Sequence, residues 1–202
     1  MIRTTLTALS LCFLLMGVAA AVAGLEPGDK APGFTLTDTE GAQHNLQTYL
    51  DDGRTVVLEW FNPDCPFIKK HHAKHRTMNE TFAAVKDAGV VWLAVNSGAV
   101  GNQGNGLERN QKAVKEYEMP FPVLIDESGE VGRAYGAKTT PHMFIITADG
   151  VVAYNGAIDD DRSADKLGET NYVAVALGEI NSGKVVSTPA TQPYGCSVKY
   201  AK

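Results

Sequence analysis

Hydrophobic and polar residues follow two different periods along this chain, and together the periods predict an α/β protein. Three nearly continuous apolar runs have the composition of strands covered on both faces, at 55–60, 90–95 and 142–146. Other segments place apolar residues three or four positions apart, which is typical of amphipathic helices, at 66–88, 107–118 and 171–181. Alternation of such strands and helices favours parallel strands in the centre of a sheet.

Turn residues between strand-like runs predict two β-hairpins. Asp-Thr-Glu-Gly at 38–41 separates runs at 34–37 and 44–46, and Asp149-Gly150 leads from the third apolar run into a strand at 151–154. The elements predict a three-layer α/β/α domain, with a central mixed sheet, parallel core strands and a C-terminal β-hairpin.

The beginning of the chain has the features of a signal peptide. Arg3 precedes an apolar run from Ala8 to Ala23, and Ala21-Val22-Ala23 has the small residues that a signal peptidase recognises. We therefore predict a signal peptide over 1–23 and an exported protein, periplasmic or secreted. No stable membrane span is expected after the leader is cleaved.

The remaining residues divide into one domain and a tail. A single domain is expected over 24–183, followed by an extended tail over 184–202. Pro189 and Pro193 disfavour regular structure in this tail, which also carries Cys196.

Composition and short motifs narrow the function classes. The chain has 18 basic and 23 acidic residues, so it lacks the excess of positive charge on which nucleic-acid binding depends. The glycine-rich segment 101–106 lacks the Lys-Ser/Thr ending of a phosphate loop, and Asp159-Asp160-Asp161 lacks the spacing of a calcium loop and is typical of solvated surface. No cofactor and no nucleic-acid partner is predicted.

Cys65 lies where the first apolar run ends and a helix begins. Pro66 suits the first helical position, which places Cys65 at or beside the N-cap. Unpaired backbone amides and the helix dipole stabilise a thiolate there. The alternative is a buried, inert cysteine, but the polar Asp64 and the helix start favour a reactive thiol.

Around these residues the chain resembles the thioredoxin superfamily. It is most similar to the redoxin (AhpC/TSA, peroxiredoxin-like) branch that includes exported thiol–disulfide proteins. Cys65-Pro66-Phe67-Ile68 matches the first cysteine of a Cys-x-x-Cys motif, with Ile68 in place of the second. Thr140-Pro141 matches the cis-proline that faces the active sulfur in this family. The resemblance implies a thioredoxin-like fold and a site of Cys65, Pro141 and His142, with His142 as a donor or base.

The peroxiredoxin signature itself is incomplete. Leu58 and Asn62 occupy the positions of its proline and its threonine or serine. Protein thiols or disulfides are therefore the expected substrates, with a peroxide and an antioxidant role as the alternative.

Cys196 has three interpretations that the sequence leaves open. It could resolve a mixed disulfide on Cys65, form a permanent structural disulfide with it, or remain an idle thiol on the tail. The first hypothesis is an enzyme, a thiol–disulfide oxidoreductase with Cys65 and Cys196 as its catalytic pair.

A metal-binding module is the second hypothesis. His71 and His75 lie one helical turn apart, and with Cys65 they could hold copper or zinc. The simpler alternative is that both are partly buried, hydrogen-bonded helix residues.

Overall fold

The centre of the protein is a mixed β-sheet, seen in a computed structural model that describes residues 24–202. The predicted signal peptide at 1–23 therefore lies outside the described residues. The strands are β1 (Thr35–Asp38), β2 (Gln43–Asn45), β3 (Thr55–Trp60), β4 (Val90–Asn96), β5 (Val123–Ile125), β6 (Thr139–Thr140), β7 (Met143–Ile146), β8 (Val152–Gly156) and β9 (Cys196–Ser197). The helices are α1 (Leu46–Asp51), α2 (Pro66–Lys69), α3 (Thr77–Val85), α4 (Leu107–Glu116), α5 (Glu130–Tyr135) and α6 (Tyr172–Asn181).

Seven strands form the main sheet in the order β2-β1-β5-β4-β3-β7-β8, while β6 and β9 form a separate pair. Strand β4 is parallel to both β3 and β5, and β1 and β7 add antiparallel neighbours on either side of this parallel core. The two predicted hairpins, β1–β2 and β7–β8, are present. The predicted fold class, a thioredoxin-like three-layer α/β/α domain with a mixed sheet, is confirmed.

Strand β3 has buried side chains on both faces of the sheet. Val56, Leu58 and Trp60 point into one hydrophobic cluster, and Val57 points into the other. Because a strand alternates its side chains between faces, an apolar run of this kind is stable only between two covering layers. The cysteine that follows β3 also belongs to the hydrophobic core.

The prediction of one helix over 66–88 was wrong. Helix α2 ends at Lys69, a π-helical turn follows over Lys70–Lys74, and Arg76 adopts a left-handed conformation (φ 53°) before α3 begins. The wider turn directs Lys70 and His71 into the interior, where both side chains have buried hydrogen-bond partners. These tertiary hydrogen bonds prevail over the regular α-helical period, as is common for π-turns at functional sites.

Residues after α6 form hydrogen bonds with two parts of the domain. Near 189–191 the chain exchanges backbone hydrogen bonds with Asn155, at the edge of β8. Further on, β9 pairs antiparallel with β6, with Thr140 opposite Cys196. The division at residue 183 stays a prediction. No helix within residues 24–202 has the length and hydrophobicity needed to cross a membrane.

Candidate active site

The loop that carries Cys65 is fixed by hydrogen bonds from several elements. The Asn62 side chain accepts a hydrogen bond from the backbone amide of Asp64 (2.9 Å), and the Tyr117 hydroxyl donates to the Pro63 carbonyl (2.6 Å). Arg109 forms an ion pair with Asp64, with Nη2 2.8 Å from Oδ1. The positive guanidinium therefore compensates the carboxylate that precedes Cys65, a contact that the sequence did not predict.

Cys65 occupies the N-cap of α2, with Pro66 at the start of the helix, as predicted. Its side chain is fully buried, and Sγ receives no capping hydrogen bond from the helix amides. The hydrogen-bond partners of Sγ are instead the Thr140 carbonyl oxygen and Cys196 Sγ, each 2.9 Å away. The surroundings of the sulfur are therefore set by the β6 loop and the tail as well as by the helix.

The loop opposite Cys65 contains the expected cis-proline. The Thr140-Pro141 peptide bond is cis, and β6 immediately before it pairs with the tail. Gly195 packs directly on this loop: a Cβ atom there would lie 2.2 Å from the Thr140 carbonyl oxygen. Because a side chain would collide with the backbone, only glycine lets Cys196 approach so closely.

Cys196 keeps its proton near neutral pH. Burial, the hydrogen bond with Cys65 and the negative charge of a Cys65 thiolate together raise the pKa of Cys196 to about 12. A thiol must lose its proton before it can attack a disulfide. Cys196 is therefore a poor initial nucleophile near neutral pH.

His142 supports the cis-proline loop and does not hydrogen-bond to Cys65. Its Nδ1 accepts the backbone N–H of Lys138 (3.2 Å), so the proton is on Nε2, which donates to the Asn155 side-chain oxygen (2.6 Å). Burial lowers the pKa of His142 to about 4. Both ring nitrogens are thus occupied in keeping the loop in place.

The buried neutral His142 predicts loss of stability in acid. An unfolded histidine takes up a proton below about pH 6.5, whereas folded His142 does so only near pH 4. The free energy of unfolding should therefore be fully retained above pH 6.5. The contribution of His142 to the free energy of unfolding should then fall by about 3 kcal/mol as the pH drops to 4. Urea unfolding of the wild type and of His142→Gln at pH 8, 6 and 5 measures this loss of stability. If the free energy of unfolding depends on pH equally in both proteins, the prediction is wrong.

The two histidines of the metal hypothesis face different partners. His71 is buried, with Nε2 3.0 Å from the Tyr194 hydroxyl, and burial lowers its pKa to about 3. His75 Nε2 instead donates to the Asp165 carbonyl oxygen at 2.9 Å. Across residues 24–202, no group of three or more His, Cys, Asp and Glu side chains is arranged to hold a metal ion. This arrangement does not favour the metal-binding alternative.

The sequence patterns did not identify a buried acidic residue on β3. Glu59 on β3 has no exposed surface, and its carboxylate lies 2.7 Å from His72 Nε2 and 3.2 Å from Trp92 Nε1. The sequence does contain a sign of this residue, since Glu59 is a lone carboxylate inside an otherwise apolar run. A charge in such a position must find buried partners.

A thiol at a helix start, facing a cis-proline loop at the edge of a mixed sheet, defines a thioredoxin-like thiol protein. Residues 27–155 match the AhpC/TSA family, and the chain belongs to that family.

Comparisons with individual proteins agree with this class. The chain is 32% identical over 128 residues to the thiol-disulfide oxidoreductase ResA of Bacillus thuringiensis subsp. konkukian, an alignment that covers 63% of this chain and 68% of that protein. A hypothetical protein of Sinorhizobium meliloti 1021 is similar in structure (TM-score 0.79, 26% identity, 89% of this chain and 97% of that chain). The thioredoxin domain of a Bacteroides vulgatus thiol-disulfide oxidoreductase shares the fold (TM-score 0.55, 21% identity, 65% of this chain and 89% of that chain).

Proposed function

We propose that this protein is an exported thiol–disulfide oxidoreductase in which Cys65 is the nucleophile and Cys196 the resolving thiol. The observation that carries the proposal is the 2.9 Å distance between the two sulfur atoms at the N-terminus of α2. Similarity to a thiol-disulfide oxidoreductase supports it, and the leader pattern at 1–23 supports export to a compartment where disulfides persist.

The reaction has two exchange steps. The Cys65 thiolate attacks one sulfur of a substrate disulfide, so a Cys65–substrate bond forms and the other substrate sulfur leaves as a thiolate and takes up a proton. Cys196 then loses its proton and attacks the Cys65 sulfur, which releases the second substrate thiol. Two electrons pass from the enzyme thiols to the substrate, and the reverse sequence delivers a disulfide to it.

The raised pKa of Cys196 assigns an order to these steps. A protonated Cys196 does not compete with Cys65 for the incoming disulfide. Once Cys65 is bonded to the substrate, its negative charge is gone. One cause of the raised pKa of Cys196 is then removed. Resolution therefore follows the first attack.

Pro141 and His142 act in this proposal by placing the loop in front of Cys65. His142 holds the backbone of Lys138 and the side chain of Asn155, and Thr140 presents its carbonyl oxygen to the sulfur. Neither Pro141 nor His142 transfers a proton in the proposed reaction.

Protein disulfides suit the site better than a peroxide. The Asn62 side chain, at the position of the peroxiredoxin threonine, is already engaged with the Asp64 amide and with the Gln103 carbonyl oxygen (3.0 Å). An antioxidant role is therefore the secondary candidate.

Trapping with oxidised glutathione tests the proposed roles. In Cys196→Ser, a glutathione adduct should accumulate on the Cys65 peptide, because no thiol resolves it. The wild type should instead proceed to a Cys65–Cys196 disulfide. Mass mapping without reductant measures both outcomes.

The matched control is Cys65→Ser, in which Cys196 should form its adduct much more slowly than Cys65 does in Cys196→Ser. Equal adduct rates in the two variants would contradict the assigned order. A wild-type disulfide that reduced glutathione cannot open would support a structural staple instead.

A further inference from the structure

A buried polar network surrounds the side chain of Tyr194, which belongs to the tail. The Lys70 ammonium donates to the Asp161 carbonyl oxygen (2.7 Å) and the Tyr194 hydroxyl (3.1 Å), and it lies 3.3 Å from Asp159 Oδ1. The Tyr194 hydroxyl donates in turn to Asp159 and lies 3.0 Å from His71 Nε2. The tyrosine oxygen thus has three partners inside the domain.

The ring of Tyr194 is also held. It packs edge-on against Phe67, with ring centroids 5.8 Å apart, and the Lys70 nitrogen lies 5.1 Å from its centroid. Only 4% of the residue is exposed. A side chain this buried, from a segment without regular structure over 184–195, is an anchor for that segment.

The anchor joins the chain segments that carry the two sulfurs. Phe67 and Lys70 belong to the helical segment that begins after Cys65, and Tyr194 precedes Cys196 by two residues. Only Gly195 lies between the anchor and Cys196. Fixing Tyr194 therefore restricts how far Cys196 can move from Cys65.

We propose that Tyr194 is a positioning residue that holds Cys196 against Cys65 through the Lys70–Asp159 pair. This inference rests on the proposed function, in which the two cysteines are the redox pair. The equilibrium between an open dithiol and an intramolecular disulfide depends on the effective concentration of one thiol at the other. An anchor two residues from Cys196 raises that concentration without touching the reacting atoms.

The test is an equilibrium between the full chain and glutathione buffers of known composition. The fraction of Cys65–Cys196 disulfide, read by mass mapping, gives the effective concentration of the pair. Tyr194→Ala should lower it by roughly tenfold or more. Tyr194→Phe keeps the ring against Phe67 and should recover part of the loss. Val185→Ala, at a tail residue that is 91% exposed, is the matched control and should behave as the wild type.

Two outcomes separate this inference from the proposed function. If the wild-type disulfide is reducible and neither Tyr194 variant changes its equilibrium, the positioning role is overturned and the redox pair stands. If the wild type forms no reducible disulfide, the redox pair fails. Amide hydrogen exchange at 196–198 then tests whether Tyr194 holds this part of the tail in place. It should be at least roughly tenfold faster in Tyr194→Ala, and unchanged exchange would overturn the inference.

Discussion

Cys65→Ser is expected to lower the rate of thiol–disulfide exchange by at least roughly a thousandfold, because a serine hydroxyl is not ionised and forms no disulfide. Serine has nearly the size of cysteine, and its hydroxyl can donate to the Thr140 carbonyl oxygen that Cys65 Sγ now contacts. The fold should therefore survive the substitution. Initial rates with oxidised glutathione measure the effect, with far-ultraviolet circular dichroism as the check on folding.

Cys196→Ser is the matched control for this prediction. The initial rate of attack at the Cys65 position should stay within about threefold of the wild type, since Cys196 acts only in resolution. Substantial exchange in Cys65→Ser would mean that Cys196 can attack a substrate directly. That result would remove Cys65 from the role of first nucleophile.

Lys70→Met is expected to lower the free energy of unfolding by about 3–5 kcal/mol, the usual cost of removing one partner of a buried ion pair. The Lys70 side chain has no exposed surface and that of Asp159 is 3% exposed. Without the ammonium, the Asp159 carboxylate keeps hydrogen bonds from Tyr194 and from the Gly168 amide but loses the cation with which it forms an ion pair. Urea denaturation of the reduced protein measures the change.

Two further variants test whether the loss of stability comes from the Lys70–Asp159 ion pair. Lys69→Met changes the neighbouring, exposed lysine and should cost less than about 0.5 kcal/mol. The double variant Lys70→Met with Asp159→Leu removes both charges and should recover part of the lost stability. If Lys70→Met is no more destabilising than Lys69→Met, the ion pair contributes little to the fold.

Local patterns in the sequence were sufficient for the main elements of the domain. The apolar run at 55–60 and Pro66 together placed Cys65 at the start of a helix, and both features act over a few residues. Periodicity failed where polar residues are buried. It missed the π-helical turn at 70–74, and Asp159, expected on a solvated surface, is buried.

The sequence by itself determined the layered fold, the N-cap position of Cys65 and the family resemblance, because strand and helix periods and helix-start residues are local properties. Only the tertiary structure decided what surrounds the Cys65 sulfur. Its partner Cys196 is 131 positions away along the chain, and it is brought there by β6–β9 pairing and the Tyr194 anchor. Such contacts depend on which distant surfaces pack together, and that packing has no local signal in the sequence.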